Sequence, residues 1–215
     1  AKFLVSLGFK QSIIEPCLFY LFTNDVSDVT DEKWNGLGIM YLICHVDDMP
    51  VASNSAELLD WLSTMVQLKY KATVQPILDY FISLSIHVSK YRVSFHQEHF
   101  VKQLLASFDG ELMEFCSKNG VIQTAEVPMR PGVSLSKVDC PDTPEAAAKL
   151  KNLRYPQLVG SLLYLVEASR HDLKVAVGNC AKFMSNFGMP HWRAALHILQ
   201  FLMKYPKMEV VFEYT

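Results

Sequence analysis

Hydrophobic positions along this chain follow two different periods. Up to about residue 96 they come in short blocks bounded by polar residues, the signature of strands. PCLFYLF (16–22) reads as a strand and is followed by the polar loop TNDVSDVTDEKWNG (23–36). LGIMYLIC (37–44) reads as a second strand, and PVAS (50–53) returns beside it as a hairpin. Asn54 and Ser55 then offer a helix cap, with Leu58, Leu59, Leu62, Met65 and Val66 predicted on one helical face. LDYFISLSIHVSKYRVSF (78–95) alternates around a Ser-Lys-Tyr-Arg break and predicts a second hairpin.

Beyond residue 96 the apolar spacing becomes helical. Residues 97–108 predict a helix with Phe100, Leu104, Leu105 and Phe108 inward. Residues 109–150 are rich in Gly, Pro and acids and read as a long irregular connection, within which Thr143-Pro144-Glu145 has the form of a helix start. Three amphipathic helices are expected near 154–167, 171–187 and 190–205, with Ser169 and Asp172 as a capping box before the second. Gly160-Ser161 is expected to let two helices approach closely, and MEVVFEY (208–214) suggests a final strand. The pattern as a whole is α+β.

Composition narrows the class. The chain has 215 residues, half of them hydrophobic and a fifth charged, as a folded domain requires. No segment approaches the roughly 18 uninterrupted apolar residues of a membrane span. The opening AKFLVSLGFKQS has no initiator Met and no signal-peptide pattern, so the chain is expected to be a fragment or a cleaved product. Five scattered cysteines (17, 44, 116, 140 and 180) contain no C-x-x-C pair; this disfavours structural zinc or a disulfide framework and suggests an intracellular, reducing compartment. Charge is uneven: residues 1–150 carry 12 basic and 18 acidic side chains, residues 151–215 carry 8 and 4. A basic C-terminal third suits either phosphate or plain solvent.

Chemistry concentrates at Asp47 and Asp48, in LICHVDDMPVAS. Neighbouring side chains on a strand point to opposite faces, so these carboxylates converge only if the backbone turns between them. A hairpin tip would do this and offer hard oxygen ligands to Mg2+. Asp is also a favoured turn residue, and a bare Asp-Asp pair is more often only a turn.

The wider context resembles the reverse transcriptases of copia-type long-terminal-repeat retrotransposons. LGFKQSIIEPCLFY (7–20) is similar to that family's GF-x-x-S-x-x-D-P-C-L-F stretch, and YLICHVDDMPVASNS (41–55) to its VYVDDML motif. LDYFISLSI (78–86) resembles the FLGLEI strand, EVPMRP (126–131) the TPM segment, and residues 155–184 the Y-R-x-L-V-G-S-L-L-Y-L…T-R-P-D-I…F-M region, which HWRAALHILQFL continues. The resemblance implies a partial palm, an antiparallel sheet with helices, over 1–96. A helical thumb-like region would follow over 97–215, with the insert 109–150.

It also implies template-directed nucleotidyl transfer by two-metal chemistry, with Asp47 and Asp48 as catalytic Mg2+ ligands and His45 as their neighbour. Tyr80, Phe81, Ile82, Ser83 and Leu84 would form a primer grip. Implied partners are an RNA or DNA template-primer and an upstream palm-and-fingers segment.

Departures from the family pattern qualify the activity. By the resemblance, the family's third catalytic carboxylate and its fingers are expected to lie before this stretch, and the ribonuclease H aspartates after it. His45 stands where the family has Tyr, Ser83 where it has Gly, and His171 where it has Pro. The chain is thus expected to be either an enzyme fragment inactive by itself or a catalytically dead, retroelement-derived structural subunit bound to other protein subunits. Lys174, Lys182, Arg193, Lys204 and Lys207 are candidate phosphate contacts, with an ordinary solvated face as the alternative. His96 and His99 fit metal ligands at helical spacing but better fit helix-start polar residues. Tyr80, Phe81, Tyr91 and Phe95 suit base stacking or, more simply, core.

Overall fold

The computed structural model describes residues 1–24, 36–118 and 121–214. The predicted polar loop falls mostly at 25–35, outside the described residues. The chain forms two compact units, Ala1–Phe81 and Ile82–Thr215.

The first unit runs α1 (Lys2–Ser6), β1 (Lys10–Gln11), β2 (Leu18–Thr23), β3 (Gly38–Ile43), β4 (Val51–Ser53), α2 (Ala56–Lys69) and β5 (Tyr80–Phe81). Strands β1-β2-β3-β4 form an antiparallel sheet in chain order. Register sets Phe19 against Leu42, and both are buried. Alternation then sends Met40 and Leu42 inward and leaves Tyr41 and Ile43 exposed. Leu58, Leu62 and Val66, four residues apart on α2, pack with Leu4, Phe9 and Phe19 to complete this core. That spacing defines a narrow stripe, which leaves Leu59 exposed and Met65 half-buried, contrary to expectation.

Ser55 is the cap of α2, its Oγ accepting from the Leu58 amide at 3.1 Å. Asn54 serves the sheet instead: its side chain accepts from the Ile39 amide (2.7 Å) and donates to the Leu37 carbonyl (3.0 Å).

The second unit begins with the hairpin β6 (Leu84–Ser89) and β7 (Arg92–His96). It continues through α3 (Glu98–Ser107), α4 (Asp109–Cys116), β8 (Ser117–Lys118), β9 (Val121–Ile122), a 3-10 turn (Lys137–Asp139) and α5 (Pro144–Leu150). Then come α6 (Tyr155–Ala168), a 3-10 turn (His171–Leu173), α7 (Lys174–Ala181), α8 (Met189–Lys204) and β10 (Val210–Glu213). β10 pairs antiparallel with β7, so the predicted final strand closes back on the hairpin. The core lies among α3, α4, α6, α7 and α8, where Leu158, Leu162, Leu165, Leu173, Val177 and Leu199 are wholly buried. Each such side chain contributes about 1.5–3 kcal/mol of transfer free energy.

Several expectations are corrected. The run 78–86 is not one strand: it breaks at Ile82-Ser83, both at positive φ (47° and 61°). Residues 109–116 are a helix, because Leu112 and Cys116, four apart, both find the core and Asp109 and Glu111 favour the first turn. The helix expected over 171–187 is only Lys174–Ala181 after a 3-10 turn.

The Ser169–Asp172 capping box does not form. Ser169 Oγ donates to Gln97 Oε1 (2.8 Å), and the Asp172 carboxylate is taken by both arms of Arg170 (3.0 and 2.8 Å). Gly160 faces open space and brings no helices together. The close approach belongs to Gly188, where an added Cβ would lie 1.8 Å from the Asp139 carbonyl oxygen.

Candidate metal and nucleic-acid site

β3 and β4 continue past their ends into a tight two-residue turn. Ile43 N–H donates to Pro50 O (3.1 Å); His45 and Asp48 exchange both backbone bonds at 2.9 Å. Val46 and Asp47 are therefore the central residues, with Asp48 closing the turn. Val46 has φ 52°, the sign that a two-residue hairpin turn of the II′ kind needs at its first position. Glycine normally fills that position, and a β-branched residue there is a backbone outlier. Such strain persists only where surrounding structure over-determines it, and it gathers at working sites. Val46, Asp47 and Asp48 are all exposed.

A bound cation would find hard carboxylate oxygens here, the donor type Mg2+ prefers when water and phosphate complete its shell. Among the described residues no group of three His, Cys, Asp or Glu side chains converges. Asp47 and Asp48 thus offer two exposed carboxylates at the hairpin tip.

Within the same unit the His45 ring meets Phe81 edge-on, centroids 6.0 Å apart. This joins the hairpin tip to the first half of the predicted grip, a neighbourhood that residue spacing did not reveal. Tyr80 is exposed and Phe81 half-buried. Ile82, Ser83 and Leu84 open the second unit, where the Ile82 carbonyl accepts from Tyr164 Oη at 2.8 Å. Two successive positive φ values are the requirement of a type I′ turn, which Gly meets without cost and Ser does not.

The basic candidates separate. Lys204 pairs with Glu126, whose carboxyl that contact and the Tyr205 hydroxyl hold below the usual range, and Lys207 pairs with Glu209 at 2.8 Å. Lys182 donates to Asn179 Oδ1 (3.0 Å). Lys174 and Arg193 are exposed and make no ion pair among the described residues. Arg193 and Lys204 stand three helical turns apart, on one face of α8.

His96 and His99 do not converge. His96 is buried and accepts the Glu98 amide on Nδ1 (3.2 Å), while His99 contacts Gln103 (3.0 Å). Burial pushes His96 below its ordinary range. Tyr80 and Tyr91 are exposed, so the core reading fails for the tyrosines. His171 starts the 3-10 turn and holds the Val166 carbonyl through Nδ1 at 2.8 Å.

Residue spacing also missed Arg170, a guanidinium only 2% exposed that ties Asp172 and the Tyr205 carbonyl (2.7 Å) beneath the Phe201 ring. The one signal for it was the Arg of the T-R-P-D stretch that residues 169–172 resemble. No described helix is long and apolar enough to cross a membrane.

Over 205 residues the chain is 26% identical to the retrovirus-related Pol polyprotein from transposon TNT 1-94 of Nicotiana tabacum, covering 94% of this chain and 14% of that protein. It is 24% identical over 201 residues to the corresponding polyprotein from transposon RE2 of Arabidopsis thaliana, covering 93% and 12%. A shorter similarity, 38% over 53 residues, is to secreted RxLR effector protein 161 of Plasmopara viticola, covering 25% of this chain and 37% of that protein. The chain therefore spans only about an eighth of the length of the polyproteins it matches. No family model and no solved structure matches.

Proposed function

We propose that this chain is a palm-and-thumb portion of a reverse transcriptase, working in template-directed nucleotidyl transfer within a longer polyprotein product. The observation that carries the reading is the hairpin tip: two carboxylates on a two-residue turn, held by paired backbone bonds, with Val46 in a left-handed conformation. Similarity to plant transposon Pol polyproteins over more than nine-tenths of the chain supports it.

Asp47 and Asp48 would hold Mg2+, which when bound supplies positive charge opposite phosphoryl oxygens. The protein's own contribution is to present both carboxylates at the hairpin tip, set His45 against Phe81 beside them, and offer Lys174 and Arg193 to backbone phosphates. With two carboxylates rather than three, the isolated chain is expected to bind the ion weakly and to extend no primer.

Mn2+ titration followed by nuclear magnetic resonance tests the site: broadening should centre on the amides of Val46, Asp47 and Asp48 and vanish in Asp47→Asn. Broadening confined to other acidic segments would refute it. The polymerase reading is tested by joining the chain to the preceding portion of the Nicotiana tabacum polyprotein. Primer extension with Mg2+ should appear and be lost in Asp47→Asn and Asp48→Asn; extension indifferent to both substitutions would refute it.

A second reading, an inert structural subunit of a larger assembly, is favoured by the internal pairing of Lys204 and Lys207. The two part on duplex binding. The enzyme reading expects affinity that falls steeply with salt, by a slope near one phosphate for each of Lys174 and Arg193; the structural reading expects none.

A further inference from the structure

We propose that Cys17 and Cys44 form an oxidisable dithiol, which hydrogen peroxide converts to a disulfide that ties β2 to the β3 arm of the Asp47–Asp48 hairpin. The inference stands on the sheet geometry and does not depend on the polymerase reading.

Register places the two cysteines directly opposite one another. Leu18 pairs with Ile43, so the next rung joins Cys17 to Cys44, and the Cys44 amide donates to the Cys17 carbonyl at 2.8 Å. Directly opposed residues point to the same face of an antiparallel pair. Hydrogen-bonded rungs hold their Cα atoms about 5.5 Å apart, inside the roughly 4.4–6.8 Å that a disulfide spans. The second bond of this rung is missing, because the Cys17 amide instead donates to the Glu15 carboxylate at 3.0 Å. That leaves slack for the Cβ atoms to close the last ångström.

Access fits as well. Cys17 is exposed and Cys44 half-buried, whereas Cys116 and Cys180 are buried. Burial pushes the Cys180 thiol up to about 11, which suppresses its thiolate. Partial desolvation and the Glu15 carboxylate also raise the Cys17 thiol, so its reactive thiolate is scarce at neutral pH and its oxidation quickens as pH rises.

The chemistry balances. One thiolate sulfur attacks a peroxide oxygen, breaking the O–O bond and releasing water after proton transfer, and becomes a sulfenic acid. The second thiolate attacks that sulfur, forming S–S and expelling the hydroxyl as a second water. Overall two thiols and one peroxide give one disulfide and two waters, the sulfurs losing two electrons. A bridge across a hydrogen-bonded rung is strained, which makes it easy for a thiol reductant to reverse.

The test uses the full chain with limiting hydrogen peroxide, then alkylation, trypsin and mass spectrometry. Cleavage puts the two cysteines on separate peptides, 11–33 and 34–69. The expected result is loss of two of the five thiols, a cross-linked 11–33/34–69 species lighter by two hydrogens, and its disappearance after dithiothreitol or in Cys17→Ser. Cys17→Ser alters an exposed position, and its circular dichroism spectrum should match the parent chain. Sulfenic or sulfinic acid on Cys17 or Cys44 without the cross-link would overturn the proposal. So would a bridge from either residue to Cys140, or cross-linking only between two molecules.

Discussion

Val46→Gly should stabilise the candidate site, and the size of the effect follows from one torsion. Val46 sits at φ 52°, where a residue with a Cβ pays about 1–2 kcal/mol relative to right-handed backbone. Its side chain is 86% exposed, so removal forfeits almost no burial. Glycine adds an opposing cost of about 0.5–1 kcal/mol through the greater freedom of the unfolded chain. The balance is a stabilisation of about 0.5–1 kcal/mol, equivalent to opening roughly two- to fivefold rarer.

Amide hydrogen exchange reads this directly at Ile43, His45 and Asp48, whose N–H groups donate across the hairpin. Exchange there should slow by that factor in Val46→Gly and change little in Val46→Ala, which keeps the Cβ and hence the strain. If glycine instead speeds exchange, or alanine matches its effect, Val46 is not strained and the turn gives no sign of a working site.

Other consequences concern the scaffold. Gly188→Ala drives a Cβ into the Asp139 backbone and should cost about 2–3 kcal/mol in a urea melt, while Gly160→Ala, on an exposed helix interior, should gain about 0.5–1 kcal/mol. Arg170→Met strips the partners from Asp172 and the Tyr205 carbonyl; about 2–3 kcal/mol should be lost, less than for a wholly buried pair because Asp172 is partly solvated. Arg170→Lys should recover little of it, lacking the two-armed fork. Burial lowers His191 and His197, against the weaker opposing pulls of Asp139 and Gln200. The unfolded chain therefore takes up more protons on acidification. The stability this contributes is complete above the unfolded histidine range near 6.5 and is lost as pH falls below it. A urea midpoint flat between pH 7.5 and about 5.5 would contradict this.

What the sequence determined by itself was whatever depends on near neighbours. Period-two runs located β2, β3, β4 and β7; four-residue spacing located α2, α3, α6 and α8; Ser55 and Thr143 marked two helix starts by side-chain oxygens that do accept backbone amides. Asp47-Asp48 between apolar runs foretold a turn, because charge at the end of a buried strand has to leave it.

Tertiary structure decided everything that depended on a partner far along the chain. Asp172 became Arg170's counter-ion rather than a cap. Ser169 was claimed by Gln97, Lys204 by Glu126, and the Cys17–Cys44 rung existed only once β2 and β3 found their register. Local pattern fixes which face is apolar. Only packing fixes which polar group reaches which, because a hydrogen bond or ion pair answers to ångström distances between segments that spacing along the chain does not contain.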